Sequence, residues 1–144
     1  MFTSFKILKR IIPFSSIKYL LSDVSEKEII FESNLALTTY DSYPVSKFHS
    51  LIIPKRHIKN YFDLTKEELL DCYDQIKKIK NKIISEDNSV TGFNIGTNSG
   101  KSAGQSIFHC HIHLIPRRKG DVKNPQGGVR GVIPIKQHYV RKNK

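Results

Sequence analysis

The order of its predicted elements indicates an α+β fold for this chain. Strand-type runs cover residues 28–32, 35–40 and 49–53, one long helix follows, and two further runs cover residues 91–96 and 107–115. Strands on both sides of a single helix are typical of an antiparallel sheet with the helix packed on one face. The sequence therefore predicts one domain with an antiparallel sheet of about five strands and one helix.

Turn and breaker residues separate the first three strands. Ser33-Asn34 is a candidate two-residue turn between the first pair, and residues 41–44 form a loop before the third. Pro54 is expected to end the third strand and Pro116 the fifth, because proline has no N–H to donate to a ladder.

The helix has the clearest local signal. Thr65 and Glu68 form the capping box T-x-x-E, in which each side chain satisfies a backbone N–H of the other residue. The residues expected on the buried stripe recur at helical spacing, and they are Leu69, Cys72, Tyr73, Ile76, Ile79 and Ile83. Cys72 is interpreted as core, and the lysines between 77 and 82 as a solvated face.

Composition excludes several classes of protein. The 144 residues suit one domain, and no run approaches the roughly 18 apolar residues of a membrane span. The two cysteines, Cys72 and Cys110, form no Cys-x-x-Cys pair, so neither a disulfide framework nor a sulfur-rich zinc site is expected. Both cysteines suit a reducing cytoplasm, which is the expected location.

The net charge of +11 lies at the two ends of the chain. Residues 1–22 carry four basic and no acidic residues, whereas residues 117–144 carry nine basic residues and one acidic residue. We therefore divide the chain into a basic N-terminal arm (1–22), a central domain (23–118) and a basic C-terminal tail (119–144). Basic ends favour anionic partners such as phosphates, nucleic acid or an acidic membrane, and a solubilising role is the alternative. An organellar transit peptide is the alternative interpretation of the arm.

The fifth predicted strand carries the residues with chemical potential. Side chains alternate faces along a strand, so His109, His111 and His113 are expected on one face. Cys110, Ile112 and Leu114 are then expected on the other face, where they can pack on the helix. Three neighbouring imidazoles are hard to explain as packing, because histidine is seldom fully buried.

Two kinds of chemistry fit the three histidines. They can bind zinc with one position open to water, or one neutral imidazole can attack phosphorus itself. No carboxylate lies between Asp87 and Asp121 to balance a cation. The residues before the strand are instead neutral donors suited to phosphate oxygens, and they are Asn98, Ser99, Ser102, Gln105 and Ser106. This environment favours the nucleophile.

The segment 104–116, GQSIFHCHIHLIP, resembles the signature of the histidine-triad (HIT) family, in which histidines alternate with apolar residues. Residues 40–57 resemble the upstream half of the family, and the resemblance extends over about residues 28–118. The tail sequences RRKGD and GGVRG are similar to bacterial-type members described as diadenosine polyphosphate hydrolases.

The resemblance implies a role for each matching residue. His111 would be the nucleophile that forms a nucleotidyl-histidine intermediate, and His109 and His113 would orient it and contact phosphate. His49 matches a further histidine near the triad, and Asp41 a residue that holds the ribose hydroxyls. The residues that match polar positions near the phosphates are Asn98, Gln105 and Ser106. Apolar residues of the first strands would line the base pocket, and two chains would pair into a continuous sheet.

The implied activity is hydrolysis of a nucleotide phosphoanhydride, with a diadenosine polyphosphate as substrate. The alternatives are a nucleoside phosphoramidate hydrolase and a nucleotide-binding module with vestigial catalysis. The chain lacks the N-terminal Cys-x-x-Cys with which many members bind zinc, so we expect no metal and no cofactor. No zinc-finger spacing or aromatic stripe supports nucleic acid as a partner. His57 is interpreted as structural or surface, and Arg117, Arg118 and Lys119 as able to reach a longer polyphosphate.

Overall fold

The computed structural model describes residues 29–141 and contains five strands and one long helix in this range. The strands are β1 (Ile29–Glu32), β2 (Ala36–Tyr40), β3 (Ser50–Pro54), β4 (Val90–Gly96) and β5 (Ile112–Arg118), and the helix is α1 (Lys66–Glu86). The sheet order is β1-β2-β3-β5-β4, and every neighbouring pair is antiparallel. The predicted α+β class is confirmed.

The sheet has one apolar face packed against α1. Because side chains alternate along each strand, Ala36, Ile52, Ile112 and Leu114 lie on the same face, although they come from three different strands. They form one buried cluster with helix and strand residues, namely Cys72, Ile79, Ile83 and Val90. Cys72 is fully buried, which confirms its interpretation as core, and burial raises the pKa of its thiol to about 12.

The capping box of α1 is present, but the buried side of the helix differs from the predicted stripe. Thr65 accepts a hydrogen bond from the Glu68 backbone, and the Glu68 carboxylate accepts one from the Thr65 backbone. Leu69 and Tyr73, predicted as core, are 39% and 55% exposed. Their places are taken by Glu68 and by Gln75, which accepts a hydrogen bond from the buried Thr38 hydroxyl. Apolar periodicity misplaced the buried face because it ignores polar residues that have partners.

The opposite face of the sheet carries a second, smaller apolar cluster. Leu37, Leu51 and Ile53 are buried there, flanked by the half-buried Ile29 and Ile107. Leu51 is the register partner of His113 on β5, so this cluster and His113 share one face. The helix-free face of the sheet therefore holds both an apolar surface and histidine.

The fifth strand lies further along the chain than predicted, and Pro116 is inside it. Pro116 pairs with Phe93 on β4, whereas the pairing of β5 with β3 ends at Leu114. The N–H and C=O groups of one residue point to the same side of an antiparallel strand. The Pro116 carbonyl accepts a hydrogen bond from the Ser46 hydroxyl, so it points to the β3 side of the strand, beyond the end of β3. The proline nitrogen, which has no hydrogen, points to the same side. Proline is tolerated here because no neighbouring strand needs a hydrogen bond from its nitrogen.

After β5 the chain turns back and forms what we call the C-terminal strap, residues 121–141. Arg117 binds the Asp121 carboxylate and the Asn94 side chain, and Arg118 binds Asp87 at the end of α1. Hydrogen bonds from Ser89 and Arg118 hold the pKa of Asp87 at about 2. Both arginines, predicted to reach a polyphosphate, are thus paired with carboxylates of the domain: Arg117 attaches the strap through Asp121, and Arg118 joins β5 to the end of α1.

Two expectations fall outside the described range. The N-terminal arm and its alternative as a targeting segment concern residues 1–22, and the last three tail residues also lie beyond residues 29–141. Within the described part of the chain, no helix has the length and hydropathy needed to cross a membrane.

Candidate active site

The structure gathers His111, His113, His49 and Asp41 on the helix-free face but separates His109 from them. β5 begins at Ile112, so His109 and His111 precede the ladder and do not follow strand alternation. His109 is 1% exposed, and the prediction that all three histidines share one wet face is wrong. The rings of His111 and His113 are neighbours, with centroids 5.0 Å apart and an edge-to-face arrangement.

His109 is held in one tautomer by two partners from the end of β3. Its Nε2 lies 2.8 Å from the Pro54 carbonyl, which can only accept, so Nε2 carries the proton. Its Nδ1 is therefore an acceptor, and it lies 3.0 Å from Nδ1 of His57, which must donate. Burial lowers the pKa of His109 to about 4, so the ring is neutral at physiological pH. His57 thus has a defined structural role, which the sequence interpretation left general.

The backbone of His109 in turn determines the tautomer of His111. His111 Nδ1 lies 2.8 Å from the His109 carbonyl, so Nδ1 carries a proton, and in the neutral ring Nε2 keeps its lone pair. The Thr97 hydroxyl donates to the His111 carbonyl at 2.8 Å. These two bonds hold both the ring and the backbone of His111. The free lone pair at Nε2 is the one feature that a nucleophilic imidazole requires.

His113 is supported by His49 in the same way. The Val45 N–H lies 3.3 Å from Nδ1 of His49, which makes Nε2 of His49 the donor. That Nε2 lies 3.0 Å from His113 Nδ1, so the remaining proton of His113 is on Nε2. Burial, with a smaller contribution from neighbouring His111, lowers the pKa of His113 to about 4. Burial also lowers the pKa of His49, although Asp41 opposes this.

Asp41 lies beside these two rings at the end of β2. Its Oδ1 accepts the Tyr43 N–H at 2.8 Å, and its Oδ2 is 3.5 Å from His49 Nε2 and 3.7 Å from His113 Nδ1. Asp41 is therefore both a turn residue and a neighbour of the histidines. Its second oxygen makes only long contacts among the described residues, so it retains capacity to accept hydrogen bonds.

The backbone before His49 adopts a conformation that is costly for a side chain. Phe48 has a φ of 70°, and its ring packs against Tyr40 with centroids 5.7 Å apart. The Ser50 hydroxyl donates to the Phe48 carbonyl at 2.8 Å, and the His49 carbonyl accepts the Asp41 N–H. A left-handed non-glycine residue costs roughly 1–3 kcal/mol and is found most often beside functional groups.

The polar loop before β5 contains the predicted phosphate ligands in different settings. Asn98 lines a cleft of about 570 Å³ together with His49 and His113, and Ser106 is exposed. Gln105 is buried; its Nε2 donates to the carbonyls of Lys59 and Ile107, and its Oε1 accepts the Gly100 N–H. Gln105 therefore braces the loop and has no donor left for phosphate. Nearby, the buried Ser99 hydroxyl has no partner among the described residues.

One group of side chains has the spacing of a metal site. Single ligand atoms of Asp41, His49 and His113 lie within 4.8 Å of one another. A cation there would need the Nε2 lone pair of His49, but the Val45 N–H stabilises the tautomer that has a proton on this nitrogen. This hydrogen bond thus opposes a cation bound through Nε2 of His49.

The HIT domain family matches residues 22–120 of this chain. The chain belongs to the HIT family. The matched range contains all eight predicted site residues, and the expectation of a HIT-type enzyme is confirmed.

Relatives of known name and structure extend this result. The chain is 36% identical over 101 residues to a bis(5'-adenosyl)-triphosphatase of Dictyostelium discoideum. The aligned region covers 70% of this chain and 67% of that protein. It is 33% identical over 94 residues to an asymmetrical bis(5'-nucleosyl)-tetraphosphatase of Schizosaccharomyces pombe, covering 65% of this chain and about half (51%) of that protein. A HIT family protein of Bacillus anthracis has a similar crystal structure, with a TM-score of 0.64, 36% identity and coverage of 72% of each chain.

The lowered pKa values of His109 and His113 predict loss of stability in acid. Both folded pKa values are about 4, below the value of about 6.5 in an unfolded chain, so the unfolded state binds more protons between these limits. The free energy of unfolding should fall as the pH drops through this window, by on the order of 2 kcal/mol per ring. Urea denaturation at about pH 7 and about pH 5 measures it. His109→Asn should reduce this pH dependence and His138→Gln, an exposed control, should not; equal slopes would contradict the assignment.

The bond from His57 to His109 predicts that His57→Phe destabilises the domain. The substitution leaves a buried acceptor on His109 without its donor, which costs about 1–3 kcal/mol. Chemical denaturation at neutral pH gives the difference, with His138→Phe as the matched exposed control. A loss no larger than that of the control would show that His57 does not hold His109.

Proposed function

We propose that this HIT protein hydrolyses a phosphoanhydride at the α-phosphate of a nucleotide, through a nucleotidyl intermediate on His111. The observation that carries the proposal is the bond from His111 Nδ1 to the His109 carbonyl, which leaves Nε2 unprotonated on an accessible ring. The substrate class is dinucleoside polyphosphates, because the phosphatases of Dictyostelium discoideum and Schizosaccharomyces pombe are named for them.

In the first step, His111 Nε2 forms a bond to the α-phosphorus as the bond to the leaving phosphate oxygen breaks. The electron pair of that bond leaves with the nucleoside polyphosphate. His111 becomes positively charged on phosphorylation, and its Nδ1–H then donates a stronger, charge-assisted hydrogen bond to the His109 carbonyl. The partner that sets the tautomer therefore also stabilises the intermediate.

In the second step, water attacks the same phosphorus and the nitrogen–phosphorus bond breaks. The proton of the attacking water passes to solvent, the electron pair of the nitrogen–phosphorus bond returns to His111 Nε2, and AMP or a similar nucleotide is released. His113 contributes a neutral Nε2–H donor to the phosphoryl oxygens, since His49 occupies its Nδ1. Neutral donors suit this role because they lose little solvation when the site closes around an anion.

The helix-free face of the sheet supports an orientation for the nucleotide. The apolar cluster of Leu37, Leu51 and Ile53 suits a base, and it lies towards β1 from the histidines. Asp41 lies between, where its Oδ2 can accept hydrogen bonds from ribose hydroxyls. Asn98, on the cleft wall with His113, and Ser106 are then the side-chain donors for phosphate.

The covalent intermediate predicts an adduct that depends on His111. Wild-type protein mixed briefly with diadenosine tetraphosphate and quenched in alkali should gain the mass of one adenylyl group, and His111→Ala should gain none. Mass spectrometry of the intact protein measures both, and Lys78→Ala, which changes an exposed lysine of α1 outside the cleft, should behave as wild type.

Each failure of this experiment has a distinct meaning. An adduct that persists in His111→Ala would place the nucleophile elsewhere. No adduct and no AMP, with nucleotide still bound, would overturn dinucleoside polyphosphates as substrates; adenosine phosphoramidate then tests the phosphoramidate alternative. Binding without turnover of either compound would leave a nucleotide-binding module.

We also propose that two chains pair through β4 into a continuous sheet. β4 is the last strand in the sheet order, and an edge strand presents unpaired backbone groups. Ile95 on β4 is 50% exposed and lines an apolar groove of about 530 Å³ with Leu69, Tyr73 and Ile76 of α1. The apolar residues that the helix does not bury are therefore collected beside the open edge.

Ile95→Lys should shift this dimer towards monomer. A lysine on the paired edge brings two charges together across the interface and removes apolar contact. Sedimentation velocity should show the larger species for wild type and the smaller one for the variant. Ile135→Lys, at a residue 90% exposed on the strap, is the control and should remain dimeric. A wild-type monomer, or an unaffected dimer, would contradict pairing through β4.

A further inference from the structure

A second cavity lies beside the histidine cleft, and it contains none of the predicted site residues. Its volume is about 710 Å³, and the C-terminal strap forms most of its wall. It shares Val45, Asn94, Ile115 and Gly128 with the cleft that contains His49 and His113. The two spaces are therefore adjacent, with these four residues in the walls of both.

The strap that encloses this cavity is held in one conformation by contacts between its own residues. A Cβ atom on Gly127, whose φ is 87°, would lie 2.2 Å from the Gln137 carbonyl oxygen, so the two ends of the strap are closely packed. The Arg130 guanidinium donates to the carbonyls of Lys136 and Gln137. Arg117 on β5 binds both Asp121 of the strap and Asn94 on β4, so the cavity wall is attached to the sheet.

The lining suits a ligand that is part apolar and part anionic. Val45, Ile115 and Val122 provide apolar surface, and Lys123 and His138 lie on the strap side. The charge of Arg117 is compensated by Asp121, whereas Lys123 makes no ion pair among residues 29–141. Lys123 is thus the cation in the lining that remains available for a phosphate.

The sheet order indicates which half of a substrate would reach this cavity. The apolar cluster assigned to the base lies on β2 and β3, the histidines lie at β5, and the cavity lies at β4 and the strap. The two halves of a dinucleoside polyphosphate extend from the attacked phosphorus in different directions. If one nucleoside binds on β2 and β3, the leaving nucleoside polyphosphate therefore extends towards β4 and the strap.

We propose that the strap cavity binds the leaving nucleoside polyphosphate of the substrate. This proposal rests on the proposed hydrolase function and deepens it, because it gives the strap the role of selecting substrates with a second nucleoside. Lys123 contacts the polyphosphate, and the apolar lining contacts the departing nucleoside. A substrate with a small leaving group does not use the cavity.

The test compares two substrates that differ only in the leaving group. Diadenosine tetraphosphate releases a nucleoside polyphosphate, and adenosine 5'-phosphoramidate releases ammonia. Val122→Trp, at a residue 46% exposed, fills the cavity from its rim and should raise KM about tenfold for the first compound and less than about twofold for the second. Lys123→Glu should act in the same direction by repelling the polyphosphate. Ile135→Trp and Lys136→Glu change exposed strap residues outside the lining and should alter neither substrate.

Equal losses with both substrates, or none with either, would overturn the proposal while leaving the hydrolase function standing. If wild type cleaves neither compound, the hydrolase function fails, and calorimetry of diadenosine tetraphosphate with the His111→Ala protein tests the cavity separately. There, Val122→Trp in the same background should weaken binding about tenfold, or ~1.4 kcal/mol. Equal affinities would overturn the cavity assignment.

Discussion

The burial of His109 is the constraint on which the chemistry of this site depends. The ring is 1% exposed and makes bonds to the Pro54 carbonyl and to His57, so it has one tautomer and no charge. Its position directs its own backbone carbonyl at Nδ1 of His111. His109 therefore determines that Nε2 is the nitrogen of His111 left without a hydrogen-bond partner from the backbone, and His109 need not contact substrate to do this.

The same region connects the histidine segment to the rest of the domain. Arg56, directly before His57, donates to both carboxylate oxygens of Glu68 at 2.7 and 2.8 Å. Glu68 also completes the capping box at the start of α1, and the Arg56 bond lowers its pKa. Because Arg56 and His57 are adjacent in the chain, they link the helix N-terminus to the histidine segment. The buried Glu68 charge is stable only when paired, so its ion pair with Arg56 holds the segment after β3 to the start of α1.

The particular successes and errors of the sequence interpretation have a common physical pattern. The T-x-x-E box, the strands and the H-x-H-x-H motif were recognised because each depends on residues a few positions apart. Pro116 and Leu69 were misassigned because their environments depend on where a neighbouring strand ends and on which polar residues find partners. Gln105 has a side chain that can bind phosphate, but its amide N–H groups donate to the carbonyls of Ile107, in its own loop, and of Lys59.

By itself, the sequence determined the α+β class and the capped helix, since both are carried by local spacing. Its resemblance to the HIT family indicated the membership and proposed His111 as the nucleophile. Only the tertiary structure decided the tautomers of the histidines, the role of His57, the attachment of the strap and the existence of a second cavity. The decisive bonds of His109 join residues 55 and 52 positions apart in the chain. No local pattern reports such a contact, because the chain brings these atoms together only when the sheet and the helix have packed.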